Sequence, residues 1–255
     1  MSFPRVALVI AQALCNHLAC TPPNPTSQKQ RYHTEEHFVL QIAPFVFKCH
    51  QYLVWTCAFF ETLFYLSTLS LFPTLPTILT SLLSLHPSLT PSTPLQSPTL
   101  THLICPLPQT YPPLSLTPLF TLGVLAVVLG TYIRLDCFRA LGPLFTFDLT
   151  IHPAHTLITS RFYAHVRHPA YTGSMLVVAG LALSHLSSGA WMTSCGPLGV
   201  VPRAAGVVWA AWWVWTVAVG LSRAQAEDRE MQRVFGKEWE AYARAVPWWF
   251  VPGIL

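Results

Sequence analysis

Charge is what this sequence has least of. Lys, Arg, Asp and Glu supply 9% of its 255 residues, whereas 52% are hydrophobic. An ordinary soluble domain is about 25% charged, so this chain cannot clothe a water-soluble fold of its size. Its long uncharged stretches read as segments in lipid. The net charge is only +4, and no Lys/Arg run is dense enough to track a phosphate backbone. That argues against nucleic acid as a partner. The seven Cys form no CxxC pair and no zinc-like spacing. Their odd number and scatter point to thiols packed as small apolar side chains. A Gly-rich phosphate loop and a GxSxG elbow are also missing.

Hydrophobic segments are abundant. Five stand out, over 5–19, 50–72, 114–133, 171–187 and 200–221. Each approaches the roughly 20 helical residues that cross a hydrocarbon core. Helices satisfy their own backbone groups in lipid, so an all-α, multi-pass membrane protein with about five transmembrane helices is expected. The first segment is read as an uncleaved helix, because Cys15-Asn16-His17 lacks the small-x-small ending of a signal-peptide cleavage site. With five crossings, 12 of the 14 Lys/Arg fall on one side, and only Arg5 and Arg203 on the other. This asymmetry puts the 134–170 loop and the C-terminal tail together in the cytosol.

The chain divides into N-terminal membrane helices (1–72), a Pro/Ser/Thr-rich loop (73–118) and a C-terminal membrane core (119–255). The loop carries eleven of the 23 Pro and no charge. Pro at that density forbids a regular helix, and no chemistry is placed there. In the 134–170 loop, the alternation in 145–151 and 155–159 predicts a short cytosolic hairpin. Pro169 then starts the fourth membrane helix.

The tail from Arg223 to Arg244 holds ten of the 24 charged residues. Met231, Phe235, Trp239, Tyr242 and Val246 share one helical face, with Gly236 as an interruption. This predicts an amphipathic segment on the membrane. Trp248, Trp249 and Phe250 would suit its interface.

Two constellations stand beside the cytosolic boundary. Arg223 and Glu227 are four apart, hence on one helical face. The spacing fits a surface ion pair as readily as a binding site. In Arg167-His168-Pro169-x-Tyr171-x-Gly173, a cation, an imidazole and a phenol meet at a helix start. Its N–H groups suit an anion, but the same residues also suit interfacial anchoring. The His152/His155 and His165/His168 pairs make a poor metal set, because Asp148 is the only carboxylate near them in the sequence and Pro153 breaks the first pair's helical face.

The motifs His155-Thr-Leu-Ile-Thr-Ser160, Tyr163 and Val166-Arg-His-Pro-Ala-Tyr-Thr-Gly173 are followed by Arg223-xxx-Glu227, Phe235-Gly-Lys-Glu-Trp-Glu-Ala-Tyr242 and Val246-Pro247. In order and spacing this series resembles the isoprenylcysteine carboxyl methyltransferase family. RHPxYxG alone is shared with phospholipid N-methyltransferases; the whole series is more specific. The resemblance implies a multi-pass enzyme of the endoplasmic reticulum membrane with its site facing the cytosol. It also implies S-adenosylmethionine as cofactor and, as substrate, the C-terminal carboxylate of the prenylated cysteine in CaaX proteins, within membrane lipid. Carried over by position, it implies cofactor contacts from His155, Thr156, Leu157, Ile158, Tyr163, His168, Pro169, Ala170, Tyr171 and Glu227. Arg223 would hold the substrate carboxylate. A phospholipid N-methyltransferase and a degenerate membrane paralogue are the alternatives.

Overall fold

A computed structural model describes residues 2–24, 42–69, 104–105, 114–145, 156–201 and 203–254. The described residues contain helices and turns and no strand. Long helices stand at all five predicted segments: α1 Phe3–Cys20, α2 Ala43–Thr68, α3 Pro118–Leu141, α4 Pro169–His185 and α6 Ala204–Phe235. The short α5, Trp191–Ser194, and the tail helix α7, Lys237–Ala245, complete the set. Three of them (α1, α3 with its following turn, and α6) are long and apolar enough to cross a membrane. Of the hairpin expected over 145–159, residues 146–155 lie outside the described residues and 156–159 form no strand; most of the Pro-rich loop also lies outside them.

Local chemistry explains the helix ends. The Thr117 side chain accepts from Phe120 N–H at 3.1 Å and Pro118 follows it, an N-cap with Pro at the first helical position. Pro169 opens α4 in the same way. Gly236, at φ 52°, ends α6 and precedes α7, which is the interruption predicted there. Helix α6 is 32 residues long, about 48 Å at 1.5 Å per residue. A bilayer core is about 30 Å thick, so the charged end of α6 projects past it. The hydrophobic segmentation stops at 221 only because charge begins there.

Helices α3 and α4 lie antiparallel and very close. A Cβ on Gly130 would stand 2.6 Å from the Gly173 carbonyl oxygen, and one on Gly123 would stand 2.5 Å from that of Gly180. Without those Cβ atoms the two backbones touch, the close approach that small residues give membrane helices. Gly173 of the RHPxYxG motif is therefore a packing residue. Helix α1 packs beside this pair, with Val9 and Ala13 joining Val124, Val127, Val177 and Leu181 in one core. The outer sides of α3 and α6 expose Leu122, Leu125, Val207 and Val214, as lipid-facing surfaces do.

The end of the bundle that holds Arg5 is clamped. Arg5 and Glu61 are 1% and 0% exposed and form a bidentate pair at 2.9 and 3.0 Å. Glu61 also accepts from Trp191 N–H at 3.2 Å. Cys105 and Cys195 form a disulfide, which corrects the expectation that every Cys is a packed thiol. Their sequence distance hides the pairing; it joins two inter-helix segments that five crossings put on one side. Cys57 and Cys137 do pack as buried thiols.

Candidate functional site

At the opposite end of the bundle, α3 finishes, α4 begins and the charged part of α6 emerges. The short helical turn Arg161–Ala164 leads into α4. The peptide groups just ahead of α4 find partners in the tail. Arg167 N–H donates to the Trp248 carbonyl and His168 N–H to that of Trp249, both at 2.9 Å. The Thr172 hydroxyl donates to the Phe250 carbonyl at 2.7 Å. These two N–H groups, which precede the helix, are therefore taken by carbonyl oxygens of the tail. Phe250, expected at the membrane interface, is 2% exposed and packs on the His168 and Tyr171 rings. The tail's apolar face is likewise occupied: Trp239, Tyr242 and Val246 cluster with Leu157, Met231 and Phe235.

Under this strap, five side chains interlock. His168 Nε2 lies 2.8 Å from Asp228 and Nδ1 lies 3.2 Å from Glu227. The second Asp228 oxygen pairs with Arg167 at 2.9 Å. The Tyr171 hydroxyl donates to Glu227 at 2.5 Å. Burial alone would lower the His168 pKa; the bonds and charges of Asp228 and Glu227 outweigh it and hold it above its usual value. Tyr242 donates to the Tyr163 carbonyl at 2.8 Å. Burial pushes the Tyr242 phenol up to about 12, and burial likewise holds the Tyr163 phenol well above its usual value. Both phenols stay protonated donors at neutral pH.

All of these groups except Asp228 border one cavity of about 220 Å³. Nine of the eleven site residues expected from sequence line it: Thr156, Leu157, Ile158, Tyr163, His168, Ala170, Tyr171, Arg223 and Glu227. Pro169 is buried at the first position of α4 and is not on the wall. His155 lies outside the described residues. Beyond the polar end, Met175, Val177, Val178 and Val219 make the walls apolar.

Sequence reasoning missed Asp228 and Arg134. Asp228 stands beside Glu227 and carries no motif spacing of its own. Arg134 was counted only as a cytosolic charge. It is 8% exposed, lines the cavity and donates to the carbonyls of Ala19 at 2.7 Å and Ala170 at 3.1 Å. It also donates to the Ser174 hydroxyl. An Arg directly following a long apolar run was the available signal.

The donor set suits a sulfonium cofactor with an amino-acid moiety. Carboxylates and phenols favour its cationic groups and its hydroxyls, and arginines favour a carboxylate. Residues 121–201 match the model of the isoprenylcysteine carboxyl methyltransferase (ICMT) family. The match takes in the 156–173 motifs and stops before Arg223 and Glu227. It supports assigning the chain to that family, a family of methyltransferases. No curated protein and no solved structure matches the chain.

Proposed function

We propose that this protein transfers the methyl group of S-adenosylmethionine to the C-terminal carboxylate of a prenylated cysteine in CaaX proteins. The proposal places five crossings in the endoplasmic reticulum membrane and the site at the cytosolic face, within the 119–255 core. One observation carries it: a single cavity joins a charged end, with Arg223 and Glu227, to an interior walled by Val177, Val178 and Val219. A charged head on an apolar chain is the acceptor that fits such a gradient.

The acceptor carboxylate is already ionised at neutral pH, so the reaction needs no general base. The cofactor, when bound, supplies an electrophilic methyl group. Arg223 holds the carboxylate and aims one oxygen. Correct placement of reacting atoms contributes several kcal/mol. Thr156, Leu157 and Ile158 with Tyr163 and Tyr171 form the cofactor's side of the cavity, and His168 and Tyr171 position Glu227 against it. The strap of 248–250 over the site helps exclude water, which strengthens every charge interaction inside.

The direct test uses membranes containing the protein, tritiated S-adenosylmethionine and either acetyl-farnesyl-cysteine or phosphatidylethanolamine. Label is expected in acetyl-farnesyl-cysteine. Label in the phospholipid alone makes the protein a phospholipid N-methyltransferase, and label in neither makes it a degenerate paralogue.

A further inference from the structure

We infer that Met175 and Gly220 form a movable threshold for the acceptor's apolar chain, with the Met175 thioether resting on the bare α-carbon of Gly220 and turning aside to admit the chain. This rests on the prenylcysteine reading above and names two residues that govern how the acceptor is seated.

Two contacts between α4 and α6 bracket Arg223. The Tyr171 hydroxyl reaches Glu227 at 2.5 Å. Four positions further along α4, the end of Met175 reaches Gly220, seven positions back along α6: a Cβ on Gly220 would stand 2.9 Å from the Met175 methyl carbon. The two helices therefore run antiparallel here. Arg223 lies between the contacts, four positions from Glu227 and three from Gly220, on the same helical face. Met175 and Gly220 both line the cavity. Val177 and Val178 lie further along α4, and Val219 lies one position further back along α6. A chain anchored by its carboxylate at Arg223 thus passes the level of Met175 and Gly220 to reach the apolar walls.

The two residue types suit a threshold that yields. Glycine is among the poorest residues inside a helix, yet Gly220 sits in the middle of the 32-residue α6. Close backbone packing explains Gly130 and Gly173 but not Gly220. Among the described residues, the Met175 methyl is the sole atom within 4 Å of a Cβ placed there. Met is unbranched and has three rotatable bonds, so its end moves easily. A side chain at 220 would occupy the place where that end rests and drive it into the acceptor's path.

The test uses membranes holding wild type, Gly220→Ala or the double variant Gly220→Ala/Met175→Ala, with acetyl-farnesyl-cysteine and S-adenosylmethionine. Gly220→Ala is expected to fold with an unchanged thermal midpoint, because the atom that its methyl group meets is the end of a flexible side chain. Its kcat/KM for the acceptor should fall roughly tenfold, the scale of one misplaced methyl group in an apolar pocket. Its KM for S-adenosylmethionine should stay within about threefold of wild type. Removing the thioether as well, in the double variant, should raise the acceptor kcat/KM again by about fivefold, a coupling expected only of residues in contact. Failure of Gly220→Ala to fold, an unchanged acceptor kcat/KM, an equal loss on the cofactor side, or no recovery in the double variant each overturns the inference and leaves the prenylcysteine reading standing. A wild type that labels no acetyl-farnesyl-cysteine overturns both.

Discussion

His168 Nε2 lies 2.8 Å from Asp228 Oδ1, and the His168 side chain is only 5% exposed. Its other nitrogen faces Glu227, so the ring is held most firmly when both nitrogens carry a proton. Its pKa in the folded protein is accordingly raised. The sign of the linkage follows. The stabilisation is fully present below the unfolded pKa, near 6.5, and is lost as pH rises through the raised folded value. Thermal unfolding in detergent is expected to show falling stability from about pH 6.5 into the alkaline range. Asp228→Asn should flatten that slope. An equal slope in the variant would separate the effect from this pair.

The contact of Gly130 with Gly173 makes a second prediction. Gly130→Ala puts a methyl group 2.6 Å from a backbone oxygen, which a rigid helix pair cannot yield cheaply. Overpacking of this kind costs about 1–3 kcal/mol. The thermal midpoint should fall, and cofactor affinity should fall with it, because α4 carries His168 and Tyr171. An unchanged midpoint would mean that α3 and α4 are not in this contact.

The disulfide is itself testable. Cys105 and Cys195 belong to inter-helix segments that five crossings put opposite the site. After denaturation without reductant, peptides carrying these two residues should resist alkylation while those carrying Cys49 react. Reductant should render both reactive. Alkylation of both without reductant would contradict the pairing.

Glu227 accepts from Tyr171 at 2.5 Å and faces His168. Glu227→Gln keeps the shape but loses the charge. The KM for S-adenosylmethionine is expected to rise about tenfold, the effect of losing roughly 1.4 kcal/mol. The KM for the prenylated acceptor should change far less. An unaltered cofactor KM would remove Glu227 from the cofactor's side of the site.

Much of the fold is legible in the sequence because lipid leaves few choices. Scarce charge and five apolar segments lead to helices, and Pro169 and Gly236 mark a start and a stop for local reasons. The helix ends beyond charge are not legible. Hydropathy halts at Gly220-Leu221, whereas α6 continues through Glu227 and Asp228 to Phe235. The family resemblance of the motif series brings Thr156, Tyr171, Arg223 and Glu227 into view together, and the structure sets them around one cavity. Asp228 escapes because its partners, Arg167 and His168, lie some 60 positions away. The use of Trp248 and Trp249 is hidden for another reason. Their main-chain carbonyls hold the strap, and a main-chain bond leaves no mark on residue type. The Arg5–Glu61 clamp is a long-range pairing of the same illegible kind.

Arg223 gives the most direct test of the central claim. Tritiated S-adenosylmethionine, acetyl-farnesyl-cysteine and either wild-type or Arg223→Ala membranes would be incubated, and the methyl ester read as methanol released by alkali. Wild type is expected to form the base-labile ester. In Arg223→Ala, kcat/KM for the acceptor should fall by roughly a hundredfold, about 2.7 kcal/mol, with cofactor binding altered by less than about threefold. No base-labile label in wild type, or equal loss of acceptor turnover and cofactor binding in the variant, would contradict the account.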